Sequence, residues 1–411
     1  MNVSFWISRR LRLHGNSGSD AGVTIAVIGV ALALLIMELT VAIVLGFKDG
    51  IRSKLMGFDA QITVEAPANT YGSHLEAEPQ LMEVLQRELP DADIRLTLRQ
   101  PALIKTDSDF HGLVFLAQQP TGSFDFERSN IVEGVWPDYA ADSCDNQVVI
   151  SRQVANALGI RVGDKITSTF FVDGSVKMRR PVVAGIFQSN FGEYDYNMAY
   201  ASLNAMQRIA GLDSLGGNRI DIRGVALDDI QDEAYRLQKA LVDAAAHGDL
   251  TSLYPVDNIT HSGAMYFSWL DLLDTNVVVI FILMLAVSGL TIISSLFILI
   301  LERIRLIGVL RAMGASKPMV RKIFVDMAMR LVGRGLIIGN ILGIGLMLLQ
   351  KYTHVLKLDP QMYYLDAVPI VINPWAILAL NVGVAVVAWL VLVLPARLAS
   401  SIDPAKAISF E

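Results

Sequence analysis

The sequence is poor in the residues from which enzymes and metalloproteins build their sites. Among 411 residues it has one cysteine, Cys144, which excludes an internal disulfide and a cysteine-based zinc site. Its six histidines are scattered without the spacing of metal ligands, so we expect no metal site. The net charge of −6 gives no indication of binding to nucleic acid.

Catalytic motifs are absent as well. The sequence contains no nucleotide-binding loop of the form G-x-x-x-x-G-K-[ST], and no G-x-S-x-G, H-E-x-x-H or C-x-x-C pattern. We therefore expect no catalytic residue and no cofactor in this chain, and we do not expect it to be an enzyme. If ATP drives its work, a partner protein has to bind and hydrolyse the nucleotide.

Long apolar runs are what the sequence has in abundance. Hydrophobic residues make up 53% of it and charged residues 18%, which predicts a few membrane spans together with a sizeable soluble part. A helix needs about 20 predominantly apolar residues to cross a bilayer. Four stretches meet that requirement, and we predict transmembrane helices at 22–47, 275–301, 325–349 and 370–394.

The basic residues predict the orientation of these spans. Arginine and lysine are concentrated before the first span, between the second and the third, and after the fourth. By the positive-inside rule, these segments lie in the cytoplasm. The predicted connecting segments are a cytoplasmic N-terminal segment at 1–21, a cytoplasmic connection at 302–322, a short periplasmic loop at 351–369 and a cytoplasmic tail at 395–411.

The segment at 48–270 has the pattern of a mixed α/β domain. "AQITVE" at 60–65 has the composition of a strand, and residues 78–89 and 227–246 have the apolar spacing of helices. "FVDGSV" carries an Asp-Gly pair between β-prone residues, which predicts a hairpin. The predicted fold is an α-helical membrane protein with four transmembrane helices and a large mixed α/β periplasmic domain inserted between spans one and two.

The segment "ERIRLIGVLRAMGAS" at 302–316 predicts a short amphipathic helix between two spans. Gly314 can end this helix, Ser316 can cap the next one, and Pro318 suits its first turn. One interpretation is a solvated loop that carries the positive charge of cytoplasmic segments, and the other is a coupling helix that a cytosolic ATPase grips and pushes. The candidate coupling residues are Leu306, Val309, Leu310 and Met313 on the apolar stripe, with Glu302, Arg303, Arg311 and Gly314.

The first span holds one acidic residue, Glu38, at a depth where a charged side chain is costly against lipid. It should therefore face a partner helix or an aqueous cavity. In one interpretation Glu38, Met37 and Val41 lie at a subunit seam or in a substrate cavity. In the other, Glu38 makes a structural hydrogen bond to a neighbouring helix.

Small residues recur every four positions in the third span. Such spacing lets helices approach closely. We predict packing of this face against span four or span two, and no substrate site. The residues are Gly335, Gly339 and Gly343.

Four stretches, in order along the chain, carry a family resemblance. "LTIISSLFILILERIRLIGVLRAMGAS" at 290–316 combines a span with the amphipathic helix, and "VLGFKDGIRSKLMGFDAQITV" at 44–64 leaves the first span. "VVISRQVANALGIRVGDKI" at 148–166 and "LPARLASSIDPAKAISFE" at 394–411 are the other two. Together they resemble the FtsX/MacB-type (type VII) ABC transporter permeases. Within that superfamily the sequence is most similar to the lipoprotein-releasing permeases LolC and LolE.

The resemblance implies a location in the inner membrane of a bacterium, partners and a mechanism. A second permease subunit, identical or paralogous, would pair with this one in the membrane lipid above a cytosolic ABC ATPase dimer, which would bind ATP and magnesium. ATP binding would close the ATPase dimer, move the coupling helices and squeeze the outer domains together. In the lipoprotein-releasing branch, a lipoprotein enters sideways from the outer leaflet and passes to a periplasmic chaperone.

The resemblance also draws attention to one hairpin. In LolC a protruding hairpin of the outer domain recruits the chaperone, and the corresponding stretch here, "STFFVDGSVKMRRPVV" at 168–183, is short. Two interpretations stay open: a hairpin that binds a periplasmic partner, and an ordinary hairpin with a solvated basic strand. The candidate residues are Asp173, Gly174, Lys177, Arg179 and Arg180.

Three other functions stay open at this point. The chain could be an FtsX-like mechanotransmitter that controls a periplasmic hydrolase, a MacB-like efflux component, or a membrane-anchored receptor without an ATPase. MacB-like chains commonly carry their own ATPase, and FtsX-like division proteins usually have a smaller outer domain, so both comparisons favour lipoprotein release. The resemblance of the coupling helix argues against a receptor.

Overall fold

The computed structural model describes residues 16–67, 74–106, 109–121, 124–172, 174–302 and 304–400. The candidate residues Asp173 and Arg303, and most of the predicted cytoplasmic ends, therefore lie outside the described residues. Within these ranges, the structure describes the backbone alone of residues 16–22, 193, 299, 301–302, 304–307, 361 and 393–400.

Helices and strands alternate between two long helical stretches. The helices are α1 (Asn16–Phe58), α2 (Pro79–Glu88), α3 (Asp125–Ser129), α4 (Arg152–Leu158), α5 (Gly192–Asn197), α6 (Leu203–Ala210), α7 (Ile230–His247), α8 (Ile259–Ser262), α9 (Ala264–Glu302), α10 (Ile304–Ala312), α11 (Lys317–Thr353), α12 (Pro360–Tyr363) and α13 (Pro374–Ser400). The strands are β1 (Ile62–Glu65), β2 (Leu75–Glu76), β3 (Asp93–Lys105), β4 (Phe110–Gln118), β5 (Ile131–Gly134), β6 (Gln147–Ser151), β7 (Thr167–Val172), β8 (Ser175–Arg179), β9 (Val182–Phe187), β10 (Met198–Ser202), β11 (Gly216–Gly217), β12 (Arg219–Arg223) and β13 (Val256–Asn258).

The chain divides into two compact units. The helical unit contains the chain up to Asp49, Trp269–Lys357 and the chain from Ala367 onwards. The α/β unit contains Gly50–Ser268 together with a second, short piece, Leu358–Asp366.

The helical unit is built from span-length helices. Within the described residues, α1, α9, α11 and α13 are the four helices long and apolar enough to cross a membrane. Their inward faces share one apolar core, to which each helix contributes large side chains. Representative members are Leu34 and Met37 of α1, Leu296 of α9, Phe324 of α11 and Leu392 of α13.

The glycine face of α11 packs against α1, and the prediction of span two or four as its partner is wrong. A Cβ at Gly335 would overlap Val30, and one at Gly339 would lie 2.9 Å from the carbonyl oxygen of Ala31. The spacing of small residues states how closely a helix can approach, but it does not say which of three neighbours approaches.

A neighbouring face of α11 meets α13 through a pair of amides. Asn340 Nδ2 donates to Asn381 Oδ1 over 2.8 Å, and Asn381 Nδ2 donates back to Asn340 Oδ1 over 3.0 Å. Reciprocal amide bonds of this kind hold apolar helices together because they satisfy polar groups that lipid cannot. The α11–α13 pair is thus fixed in register.

The α/β unit is organised around a mixed sheet. The strand order is β13-β1-β12-β3-β4-β10-β6-β9-β5, and β7 pairs with both β3 and β8. The pairs β4–β10 and β6–β9 are parallel, while the other described pairs of this sheet are antiparallel. Helices pack on the sheet and bury a main apolar core, and a smaller apolar cluster forms around Phe187 and Tyr200.

The local predictions for this unit are confirmed. The strand expected at 60–65 is β1, and the helix expected at 78–89 is α2, which buries Leu81, Val84 and Leu85 as its apolar spacing requires. The helix expected at 227–246 is found as α7.

Candidate functional site

The connection from α10 to α11 is a rigid bend. Gly314 has φ = +92°, a conformation that only glycine adopts without strain. The amide of Gly314 donates to the carbonyl of Arg311, and the amide of Ala315 donates to that of Leu310. These two bonds form a Schellman motif, which satisfies the last carbonyl groups of the helix. The prediction that Gly314 ends the helix is confirmed.

The bend is also closed from its other side. Arg311 Nη1 donates to the carbonyl oxygen of Ala315 over 3.2 Å, so this guanidinium crosses the turn. Ser316 takes the N-cap position of α11 with an extended backbone, although its side chain makes no capping hydrogen bond, and proline follows in the first turn. Helix, turn and helix are therefore one preformed shape.

This connection presents apolar side chains outward. Val309 is 50% exposed and Met313 is 79% exposed, while Leu310 is half-buried. The side chains of Glu302 and Leu306 lie outside the described residues. Exposed apolar groups on a basic segment favour a contact surface over a purely solvated loop.

Glu38 lies inside the helical unit. Its side chain is only 1% exposed, and its carboxylate is aimed at Gly343 of α11, where a Cβ would overlap Oε2. Neither carboxylate oxygen of Glu38 has a hydrogen-bond partner among the described residues. The structural hydrogen bond to a neighbouring helix, which one interpretation predicts, is therefore not found among them. Met37 is buried in the core of the unit, and Val41 is half-buried.

The predicted hairpin is present, and its surface is more apolar than the sequence suggested. β7 and β8 pair antiparallel, with Val172 opposite Ser175, and Gly174 has φ = +74°.

The basic side chain of Lys177 is not free, because its Nζ donates to the carbonyl oxygen of Ile209 over 2.6 Å. Arg179 donates to a neighbouring carbonyl, and Arg180 is exposed. The large exposed side chains of the hairpin are Phe171, Val176 and Met178.

A charge network at the end of α1 was not predicted. Asp59, the residue after α1, accepts hydrogen bonds on Oδ1 from Arg99 over 2.9 Å and from Arg219 over 2.5 Å. Arg219 also pairs with the buried Asp221. Arg223 donates to the carbonyl oxygen of Gly57 over 2.9 Å. Strands β3 and β12 thereby hold the end of α1 on the sheet.

The network changes the titration of its buried acid. Burial acts to raise the pKa of Asp221, but the guanidinium groups of Arg219, Arg99 and Arg223 more than offset it, and the pKa is lowered. Asp221 also accepts from Gln118 Nε2 over 2.8 Å. Asp221 is therefore ionised and fully partnered at neutral pH.

No metal site emerges from the described part of the chain. Within it, no group of three or more histidine, cysteine, aspartate or glutamate side chains is arranged to hold a metal ion. The candidate residues form three separate places instead. They are the α10–α11 bend, the Glu38–Gly343 contact and the β7–β8 hairpin.

Comparisons with known proteins match both halves of the chain. Residues 23–234 match the model of the MacB-like periplasmic core domain, and residues 278–404 match that of the FtsX-like permease C-terminal region. The extracellular domain of the noncanonic ABC-type transporter YknZ from Gram-positive bacteria has a TM-score of 0.34 and 11% identity, covering 49% of this chain and 100% of that domain.

Curated relatives align over nearly the full length. The lipoprotein-releasing system transmembrane protein LolC of Xylella fastidiosa (strain 9a5c) is 24% identical, over 98% of this chain and 97% of the relative. The LolE protein of Haemophilus influenzae is 22% identical over 100% of each chain. With an FtsX-like C-terminal half and a MacB-like core domain that matches more than half of its length, the chain belongs to the type VII ABC transporter permease family.

Proposed function

We propose that this chain is the permease subunit of an ABC transporter that extracts lipoproteins from the inner membrane for transfer to a periplasmic chaperone. The observation that carries the proposal is the end-to-end alignment with relatives named as lipoprotein-releasing transmembrane proteins. The family implies an ABC ATPase partner and a second permease subunit. ATP and magnesium then belong to the ATPase, and permease subunits of this kind are generally not enzymes.

The proposed topology follows the charges. α1, α9, α11 and α13 cross the membrane, with both chain ends in the cytoplasm and the α/β unit between the first two spans on the periplasmic side. The loop between α11 and α13 is then periplasmic too. This arrangement is supported by the basic residues that flank the proposed cytoplasmic segments.

The α10–α11 bend is the proposed contact with the ATPase. Its Schellman motif makes it stiff, and Val309 and Met313 offer apolar side chains that an ATPase groove can cover. A push on a stiff bend moves the attached helices, whereas a flexible loop would absorb it. Arg311 contributes by bracing the turn from within.

The chemistry of the cargo explains the need for ATP. Each CH₂ group of a membrane-embedded acyl chain contributes about 0.8 kcal/mol to retention. A protein that carries several acyl chains therefore does not leave the bilayer spontaneously. The proposed route of the chains runs beside α1 at Val41, since Met37 is buried in the core of the helical unit, and the β7–β8 hairpin is the proposed site for the chaperone.

Reconstitution tests the function. The chain is purified with its ATPase and any second permease, placed in liposomes with a triacylated lipoprotein, and supplied with ATP and a soluble chaperone. We expect ATP-dependent appearance of the lipoprotein in the soluble fraction. ATP-dependent activation of a cell-wall hydrolase without lipoprotein release would instead identify a mechanotransmitter, and drug efflux with an adaptor would identify a MacB-like component.

A further inference from the structure

The middle of the connection between α11 and α13 forms a loop that belongs to the α/β unit, although both helices belong to the helical unit. Its residues, Leu358–Asp366, contain the short helix α12. The chain therefore passes between the two units at four points, which are 49/50, 268/269, 357/358 and 366/367. The last two of these are the ends of the loop.

Lys54 holds this loop from α1. Its Nζ donates to the carbonyl oxygen of Ser189 over 2.8 Å and to that of Tyr364 over 2.6 Å. The carboxylates of Asp366 and Asp195 attract the same ammonium group. One cation thus ties α1, the segment after β9 and the loop together.

A second polar contact fixes the same two segments. Asn190 Nδ2 donates to Asp366 Oδ1 over 2.9 Å. Asn190 has φ = +57° and Tyr364 has φ = +60°, a region that non-glycine residues rarely occupy. Asp195 supports the turn at Asn190, since its two carboxylate oxygens accept from the amides of Ser189 and Asn190, each over 3.0 Å. Backbones in such conformations persist only where their surroundings hold them.

Aromatic packing anchors the loop in the core of the α/β unit. The ring of Tyr364 lies 4.8 Å from that of Phe191, centroid to centroid, and 6.4 Å from that of Tyr266. Phe191 is fully buried and is part of the main apolar core. On the other side of the loop, the side chain of Leu365 fills the space beside Gly50 of α1.

We infer that Lys54, Ser189, Asn190, Tyr364 and Asp366 form a clasp that stays closed through the transport cycle and makes the loop a rigid part of the α/β unit. Lys54 is the positioning residue of this clasp. Movement driven by the ATPase then reaches the α/β unit through the loop ends that follow α11 and precede α13, as well as through α1 and α9. The inference rests on the proposed function only for the source of that movement.

A distance measurement tests the clasp. Spin labels are attached to Gln153→Cys and Met362→Cys, two exposed positions of the α/β unit, in a Cys144→Ser background of the assembled complex. Pulsed electron paramagnetic resonance should give one narrow distance distribution that is the same without nucleotide and after trapping with vanadate. Lys54→Met should broaden it. Lys54→Arg, which can still donate to both carbonyl groups, should keep the distance distribution narrow. Lys239→Met, at an exposed lysine of α7, should not change the distribution.

Two results would overturn the clasp. One is a shift of the distance on vanadate trapping with Lys54 intact, and the other is a distribution that stays narrow in Lys54→Met. The lipoprotein released per ATP hydrolysed is measured on the same preparations, and we expect Lys54→Met to lower it while the ATPase rate is kept. Absence of release by the wild-type complex would contradict the proposed function, and the distance measurement would still decide the clasp.

Discussion

The two units of the molecule differ in the partners of their buried acidic side chains. In the α/β unit, the buried carboxylate of Asp221 is paired with Arg219, which also binds the half-buried Asp59. In the helical unit, Glu38 is equally buried and has no hydrogen-bond partner among the described residues. A buried charge that is paired recovers part of the free energy lost on leaving water, whereas the carboxyl group of Glu38 has no such partner among the described residues. The comparison predicts that the α/β unit is most sensitive to the loss of a charge partner, and that the α1–α11 contact is most sensitive to added volume at Gly343.

The largest expected effect on stability tests the paired charges of the α/β unit. Arg219→Ala leaves the ionised Asp221 buried without its closest partner, and breaking a buried pair in this way lowers the free energy of unfolding by about 3–5 kcal/mol. Chemical unfolding of the purified chain, followed by the fluorescence of its aromatic residues, measures the loss. The matched control is Arg236→Ala, which removes an exposed ion pair with Glu233 and should cost no more than about 1 kcal/mol. Equal losses in both variants would contradict the comparison.

The next largest effect on stability tests the contact between α1 and α11 at Glu38 and Gly343. Gly343→Ala places a methyl group on the Glu38 carboxylate, and overpacking of this kind lowers stability by about 1–3 kcal/mol. Glu38→Ala in the same chain should relieve the clash, so that the double variant is more stable than Gly343→Ala alone. Thermal unfolding in detergent measures both variants. Gly345→Ala, where a Cβ meets nothing within 4 Å, is the control, and additive effects at 38 and 343 would show that the two positions do not touch.

A smaller change in stability, with a large change in function, is expected at the bend. Gly314→Ala forces a side chain into a left-handed backbone and costs about 1–2 kcal/mol locally. We expect Gly314→Pro and Arg311→Glu to insert normally into the membrane and to lose stimulation of the ATPase. The rate of ATP hydrolysis by the reconstituted complex measures this loss. Gly333→Ala, in an open position on α11, should keep the rate of the wild type.

The smallest effect on stability is expected at the hairpin. Phe171→Ser and Met178→Ser replace exposed side chains, so the free energy of unfolding should change by no more than about 0.5 kcal/mol. If the hairpin binds the chaperone, transfer of lipoprotein should fall while ATP hydrolysis continues. Tyr235→Ser, at an exposed aromatic residue of α7, is the control. Unchanged transfer in both hairpin variants would leave the hairpin with a structural role only.

Local sequence patterns predict the helices, strands and turns. Contacts between residues far apart in the chain could not be predicted from them. The apolar spacing at Leu81, Val84 and Leu85 and the glycine at 314 act within one or two helical turns, and the structure has both features as predicted. Asp59 and Arg219 are 160 residues apart, so nothing in either neighbourhood indicates that they pair. Lys54 and Tyr364 are 310 residues apart.

The candidate site shows the same limit. The helix and turn at 304–316 could be predicted because they are encoded by adjacent residues. In the basic flank of the hairpin, Lys177 is engaged by the carbonyl of Ile209, 32 residues away, whereas Arg179 and Arg180 are exposed. The predicted partner of the α11 glycines was wrong because a periodic glycine face indicates close contact with a helix without showing which helix it is.

Cross-linking from the bend tests the central claim, namely that a cytosolic ATPase grips the α10–α11 connection. Val309→Cys and Met313→Cys, each in a Cys144→Ser background, are exposed to a photoactivatable thiol reagent in the assembled complex in liposomes, with and without ATP. We expect both positions to form covalent adducts with the ATPase subunit, in yields that change when ATP is bound. Adducts with lipid or solvent alone, or labelling of either cysteine by a reagent confined to the periplasmic side, would contradict the account.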